Sequence, residues 1–319
     1  MSQSATSPAT ALAVDAPRRG IVRSLLSRLA LMLLCYNVGI AGYLWYLAGR
    51  QEREVLALYR TSAVVRTASD SAAADLRRYQ AVRRPLVDRL LPDGHHGTLI
   101  LHDLGGPAGV AWTQTSTIGI LAGSLSRPMA PRGALAGESV EIHERAHLLR
   151  AYHADAVGRL LRATPLPLHD EYAATNRDEH FAEMAAQAYE LVLQRSTPRW
   201  RVAPAVERLR AVEQRVPGTA GFVVYMLRRV RNRDQPERAA LRAEATRLVG
   251  ENAPLWEPIY AALEAQQRPD GTMAPWPAVT PRHRLAQAVA SLEDEGRRST
   301  RLMALALTPG EWLLGLIAE

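Results

Sequence analysis

Two histidines and a glutamate stand at metal-binding spacing near the middle of this 319-residue chain. They belong to the run His143-Glu144-Arg145-Ala146-His147, an H-E-x-x-H pattern. On a helix the two imidazoles lie one turn apart on one face, so both can reach one zinc ion while Glu144 stands beside it as a base. Chance placement of this pattern among 9 histidines is expected only about 0.02 times per chain. The run predicts a zinc-dependent hydrolytic site, and a solvated helix with incidental histidines is the alternative.

A third ligand has two candidates, of which the nearer is His153. It lies ten residues after His143, the spacing of the pattern H-E-x-x-H-x-x-G-x-x-H. Arg150 stands where that pattern has glycine. Without a turn the helix would continue, and His153 would point about 120° away from His147. The sequence therefore favours a surface histidine over a ligand here.

The second candidate lies on a helix predicted from Asn176 to Leu193. This run contains no Gly or Pro, starts with a capping residue and carries apolar residues at helical spacing. Glu179 and Glu183 share one face of it. Glu179 also lies three residues after Asn176, so it could instead close a capping box, and Glu183 could be an ordinary exposed acid.

These two helices resemble the gluzincin metallopeptidases, within them the group similar to the catalytic domain of anthrax toxin lethal factor. The matching residues lie between about 138 and 193: Ile142, His143, Glu144 and His147, followed by Thr175, Asn176, Glu179, Phe181, Ala182 and Glu183. Two residues between the histidines, Arg145 and Ala146, depart from that group. The substrate-binding domains of the toxin are absent, so its substrate cannot be transferred.

The resemblance implies that Glu179 is the third zinc ligand and that Glu183 is an acid that accepts a hydrogen bond from a zinc-binding imidazole and fixes its tautomer. It also implies a catalytic role for Tyr172, which could otherwise be a surface aromatic. With zinc as cofactor, Glu144 would act as general base on a water and Tyr172 would stabilise the oxyanion. Peptide hydrolysis of an unknown polypeptide is the expected reaction. The alternatives are a catalytically inactive zincin-like protein that binds polypeptides at a membrane, and a structural membrane protein.

An apolar run near the N-terminus predicts a membrane anchor. Leu29–Ala48 are twenty residues without a charge, enough to cross about 30 Å of hydrocarbon as a helix. Tyr43, Trp45 and Tyr46 near its end suit a membrane interface. Cleaved signal peptides have shorter apolar regions, and a buried core helix is the other reading. Cys35, the only cysteine, lies inside this run and excludes an intramolecular disulfide.

Localisation follows from composition and from the arginines that flank the anchor. All 39 basic residues are arginine, which fits a bacterial chain and an inner-membrane location. Arginines before and after the span are balanced in number, so the orientation rests on a slight preference for an extracytoplasmic catalytic domain. The net charge of +7 does not indicate nucleic-acid binding, because the arginines are interspersed with acids.

The pattern predicts an α+β protein: one transmembrane helix, then a zincin-like catalytic domain with a small sheet, an active-site helix and a helical C-terminal lobe. The predicted divisions are a disordered tail over 1–28, the anchor over 29–48, the catalytic domain over 50–199 and the lobe over 200–319. Runs at 98–102 and 110–121 are β-like. An edge strand there would pair with an extended substrate. The helical regions should be interrupted at the following sites: Pro85, Pro217-Gly218, Gly250, Pro269 to Gly271, Pro281 and Pro309-Gly310.

Overall fold

The structure, a computed structural model, is mostly helical with one small mixed sheet. It describes residues 16–60, 70–102, 107–125, 136–166, 176–193, 202–230, 236–294, 302, 304–310 and 312.

Helix α1 extends from Ala16 to Arg60, 45 residues or about 68 Å at 1.5 Å per residue. Residues 16–28, which the sequence places in the tail, are already helical because apolar residues begin at Ile21. The stretch Ile21–Ile40 is long and apolar enough to cross a membrane and is largely exposed, although a signal sequence would pass the same test. Farther along, Val55 is buried beside two leucines of the sheet. One continuous helix therefore joins the apolar stretch to the folded domain.

Two short helices follow, α2 over Asp70–Arg78 and α3 over Arg84–Val87. Between them the turn Tyr79–Arg83 is π-helical. Pro85 lies in the first turn of α3, directly after the π-helical turn. The chain stays helical from Asp70 to Val87, so in place of the interruption predicted at Pro85 the structure has a change from α-helical to π-helical hydrogen bonding just before it.

The sheet has three strands, β1 at Thr98–Leu101, β2 at Gly109–Trp112 and β3 at Thr117–Leu121. Their order is β1-β3-β2, with β1 parallel and β2 antiparallel to β3. The sequence predicts one β-like run over 110–121, but a 3₁₀ turn and a left-handed Ser116 (φ 51°) divide it into β2 and β3. This reversal makes β2 an edge strand among the described residues.

Eight longer helices complete the described fold. They are α4 (Ala136–Tyr152), α5 (Ala154–Ala163), α6 (Arg177–Leu193), α7 (Val202–Arg215), α8 (Thr219–Arg229), α9 (Pro236–Val249), α10 (Ala253–Ala265) and α11 (Pro281–Asp294). The break at Gly218 has φ 97°, a conformation that favours glycine. The break predicted at Pro309-Gly310 is wrong, since residues 304–310 are helical.

Helices α4 and α6 pack side by side at the centre, and α8 packs on α6. Phe181 of α6, Phe222 of α8 and Trp256 of α10 form an aromatic cluster with ring centroids 5.3 and 5.0 Å apart. Gly221 permits this packing, because a Cβ there would lie 2.0 Å from the indole of Trp256. One hydrophobic core extends from Tyr79 to Trp276, so the C-terminal helices help to hold α4 and α6 in place.

Candidate metal centre

Helix α4 presents the two histidines of the H-E-x-x-H run on one face. The ring centroids of His143 and His147 are 4.9 Å apart, as the one-turn spacing predicts. His147 is buried and His143 is partly buried. The helix is fixed from behind because Ile142, Ala146 and Leu149 are fully buried in the core.

Helix α6 brings Glu179 to these histidines. Asn176 caps the helix, with its Oδ1 accepting hydrogen bonds from the backbone N–H of Asp178 (3.0 Å) and Glu179 (3.4 Å). The capping prediction is therefore confirmed. The side chain of Glu179 faces α4, with its Oε2 3.1 Å from Nε2 of His143 and its Oε1 3.5 Å from Nε2 of His147.

The three side chains have the geometry of a metal site. One ligand atom each from His143, His147 and Glu179 can be chosen so that all lie within 4.8 Å of one another. Tetrahedral zinc with bonds near 2.05 Å would separate its ligand atoms by about 3.3 Å; the two carboxylate–imidazole distances above are of this size, with a different oxygen of Glu179 facing each histidine. Two imidazoles and a carboxylate are also a ligand set that catalytic zinc uses. The residues present therefore fit zinc, although the 3.1 Å contact also suits a hydrogen bond from a protonated imidazole.

Two carboxylates, those of Asp178 and Glu183, lie near the Nδ1 atoms of the two histidines, and their distances from these atoms differ. Oδ2 of Asp178 lies 3.0 Å from Nδ1 of His147, a hydrogen bond. Oε2 of Glu183 lies 3.9 Å from Nδ1 of His143, outside hydrogen-bond range. The other oxygen of Glu183 accepts a hydrogen bond from Gln187. Asp178 is thus the better-placed orienting acid, and sequence reasoning missed it although it directly precedes the ligand candidate Glu179.

The carboxylates around His147 shift its pKa. Burial alone opposes the charged imidazole, but Asp178, with Glu144 and Glu179, outweighs burial and raises the pKa of His147 to about 9. In contrast, burial raises the pKa of Glu144 above its usual value despite the two nearby histidines. A carboxyl group beside a metal site can take up and return a proton during a reaction.

Glu144 lies against the edge strand of the sheet. It is 7% exposed, and a Cβ built on Gly109 would lie 2.7 Å from its Oε1 and 2.4 Å from a methyl carbon of Val140. Only a residue without a side chain lets β2 approach α4 this closely. Gly109 therefore shapes the position of the Glu144 carboxylate.

A cleft of about 750 Å³ opens over the two histidines and Glu179. Strand β2 forms one wall, through Gly109, Val110 and Ala111, and α6 forms the opposite wall, through Glu183 and Glu190. At the far end, Oγ of Ser139 donates a 3.0 Å hydrogen bond to Glu190. The candidate metal ligands thus line an open cleft between β2 and α6.

The opposite face of α4 carries a buried ion network centred on Arg145. Its guanidinium is fully buried and donates to Glu141 (2.5 Å), to Asp88 (2.6 Å) and to the backbone oxygen of Leu91 (2.7 Å). Burial opposes the positive charge of Arg145, yet the surrounding carboxylates, Glu141 above all, outweigh burial and raise the pKa of Arg145 above its usual value. The arginine thus ties the metal-ligand helix to the segment that leads into β1.

This network explains a second group of acids that could by distance alone hold a metal, Asp88, Asp93 and Glu141. Arg145 lies among them, and Arg84 donates a 2.6 Å hydrogen bond to Asp93. Two guanidinium groups therefore already supply the positive charge. We assign this group to structure and not to metal binding.

Two further sequence candidates fall elsewhere. Helix α4 ends at Tyr152 instead of continuing, and His153 adopts a non-helical conformation beside Trp276 with ring centroids 5.3 Å apart. His153 is not in either group of possible metal ligands found among the described residues. Tyr172 lies outside the described residues, so its predicted catalytic role stays a prediction.

Comparison of the chain with protein-family models, with curated proteins and with solved structures finds no match. A function can therefore be proposed only from the geometry of the site.

Proposed function

We propose that the chain is a membrane-anchored zinc metallopeptidase of zincin-like fold. The observation that carries this proposal is the convergence of His143, His147 and Glu179 in the floor of an open cleft, with the buried Glu144 carboxylate beside them. Helix α1 supports the anchor, and the extracytoplasmic side of a bacterial inner membrane remains the proposed location of the domain.

Each residue would have a defined task in peptide hydrolysis. His143, His147 and Glu179 would hold zinc, which supplies Lewis acidity and lowers the pKa of a bound water toward about 7. Glu144 would accept a proton from the attacking water and return it to the leaving amine. Asp178 would hold His147 in the tautomer whose Nε2 faces the metal, since its carboxylate accepts a hydrogen bond from Nδ1–H.

The cleft suits an extended polypeptide. The edge of β2 that does not pair with β3 borders the cleft at Gly109, Val110 and Ala111. A substrate backbone could add to this edge as a further strand. Pairing of this kind uses main-chain groups and therefore fits a peptide better than a small ester or amide.

Charge in the cleft favours one class of peptide. The described lining residues include five carboxylates and no arginine; the acids are Glu144, Asp178, Glu179, Glu183 and Glu190. Opposite charges steer association and like charges oppose it. We expect peptides with lysine or arginine near the scissile bond to be cleaved with a higher kcat/KM than matched glutamate peptides.

The test measures zinc and hydrolysis on the full chain in detergent. The parent protein should contain close to one zinc per chain, and Glu179→Ala should lose most of it. Glu144→Gln should keep its zinc but hydrolyse a fluorogenic peptide mixture at least about 100-fold more slowly. Glu251→Gln, which changes an exposed acid far along the chain, is the matched control.

The outcomes separate the possible functions. A folded parent without zinc would refute the metal site. Zinc without hydrolysis of any peptide in the mixture would refute the peptidase and support the inactive polypeptide-binding relative. Equal activity of Glu144→Gln and the parent would refute the role of Glu144.

A further inference from the structure

The described part of the C-terminal segment, residues 302, 304–310 and 312, returns to helix α1. Residues 304–310 are helical, as are 302 and 312. Ala304 and Leu307 are buried in a small apolar cluster with residues of α11, and Ile40 of α1 packs against this cluster. At Gly310 the contact with α1 is close, because a Cβ there would lie 2.3 Å from Oδ1 of Asn37. The segment thus packs on α1 within its apolar stretch.

Asn37 marks this contact on α1. It is 6% exposed, whereas its neighbours Tyr36 and Val38 are 40% and 61% exposed. Its Nδ2 donates a 2.7 Å hydrogen bond to the backbone oxygen of Leu33, and its Oδ1 has no hydrogen-bond partner in the described part of the chain. Asn37 belongs both to the exposed apolar stretch Ile21–Ile40 and to the predicted span Leu29–Ala48. The part of the chain that covers Asn37 therefore lies beside the predicted membrane span.

Composition and exposure fit the same environment. From 302 to 318 the chain has one charged residue, Glu311. The side away from α1 is apolar, with Leu302, Leu305 and Trp312 exposed by 62–69%. It continues the exposed apolar surface of α1, and a contiguous patch of this kind indicates an interaction surface. Close packing at glycine and tolerance of Pro309 are both typical of membrane helices.

We infer that the described residues of the C-terminal segment, 302, 304–310 and 312, belong to a second membrane-embedded segment, packed on α1 at the Asn37–Gly310 contact, with lipid acyl chains as the partner of its exposed face. This inference rests on the proposed anchor but goes beyond it. Both ends of the chain would enter the bilayer, and the domain between them would be held close to the membrane surface. The Asn37 side chain would lie between two helices, shielded from lipid.

Thiol labelling tests the inference and uses the single native cysteine as internal reference. Cys35 is exposed on α1 and reports whether the anchor is in lipid. Leu305→Cys and Arg268→Cys, each combined with Cys35→Ser, place one thiol on the C-terminal segment and one on the exposed surface of the domain. All proteins are treated with a water-soluble maleimide in membrane fragments open on both faces, before and after detergent is added.

The expected result is protection of both Cys35 and the cysteine at 305, with labelling at least about tenfold slower than at 268, because a thiolate does not form readily in hydrocarbon. Detergent should remove the difference. Rapid labelling at 305 with Cys35 protected would overturn the inference and leave the anchor intact. Rapid labelling of Cys35 as well would refute the membrane anchor itself.

A cross-link tests the packing separately from the lipid contact. Asn37→Cys and Gly310→Cys, combined with Cys35→Ser, should form an intramolecular disulfide on mild oxidation, detected as a loss of two alkylated thiols by mass. Val38→Cys with Leu305→Cys, two exposed positions, should not. Absence of the first disulfide in a protein that still binds zinc would refute the Asn37–Gly310 contact.

Discussion

Replacing Asp178 should weaken zinc binding more than replacing Glu183, although the sequence resemblance points to Glu183. Asp178 lies 3.0 Å from Nδ1 of His147, and Glu183 lies 3.9 Å from Nδ1 of His143. A hydrogen bond to a charged group contributes about 1.5–3 kcal/mol, and loss of such orienting partners typically lowers metal affinity about 10–100-fold. A contact of 3.9 Å supplies only a screened electrostatic attraction.

The series of variants separates charge from hydrogen bonding. Asp178→Asn keeps an acceptor without charge and should lower zinc affinity by about tenfold, which is 1.4 kcal/mol. Asp178→Ala leaves Nδ1 of His147 without this partner and should approach 100-fold. Glu183→Gln should change the affinity by less than about threefold, since no hydrogen bond to His143 is lost.

Competition with a chromophoric zinc chelator measures these affinities on the full chain. Asp178 is also in the first turn of α6, where a negative charge stabilises the helix by about 0.3–1 kcal/mol. Thermal unfolding of each zinc-free variant therefore has to accompany the titration. A loss of affinity for Glu183→Gln equal to or larger than that for Asp178→Ala would refute the assignment of Asp178 as the orienting acid.

Three further predictions concern the supports of the site. Gly109→Ala should push the Glu144 carboxylate aside, because the new Cβ would lie 2.7 Å from its Oε1; peptidase kcat should fall while bound zinc, measured by atomic absorption, stays near one per chain. Arg145→Met should lower the free energy of unfolding in urea by about 3–5 kcal/mol, because it leaves buried carboxylates without a counter-charge; a loss below 1 kcal/mol would contradict the role of the network. Burial favours the neutral form of Asp93, but Arg145 and Arg84 outweigh it and lower its pKa. Its contribution to stability is therefore present at neutral pH and is lost as pH falls below about 4, so urea unfolding of Asp93→Asn at pH 7 and pH 3 should show a smaller pH dependence than the parent.

The local elements could be predicted from the sequence because their signals are local. Asn176 followed by an uninterrupted run gives a capped helix, and the i, i+4 histidines share a face in any α-helix. The β-like pattern over 110–121 predicts strand throughout, since alternation does not show where a chain reverses; the left-handed Ser116 has no glycine signal. Pro309-Gly310 predicts a break, whereas the described residues 304–310 are helical and Gly310 lies close to Asn37 of α1.

The contacts that set the site could not be predicted in the same way, because they join residues far apart in the chain. Asp178 and Glu183 are both acids on the face of one helix, and only the rotation and offset of α6 against α4 decide which reaches an imidazole. The close approach of Gly109 to Glu144 depends likewise on where β2 lies relative to α4. Hydrophobic periodicity identifies the packed faces but not the offset between them.

Arg145 shows how a departure from a motif can be informative. Arg145 lies between the two histidines, at a position that the H-E-x-x-H pattern leaves open. In the sequence it only weakens the resemblance to the gluzincin group. In the fold, Glu141 and Arg145 are one turn apart on the face of α4 opposite to His143 and His147, and their network reaches Asp88. A buried guanidinium requires nearby carboxylates, so the arginine predicts that this face is buried against acids. The ion pairs fix α4 on one side while Glu179 approaches from the other, and the position of the two imidazoles is therefore determined before any metal binds.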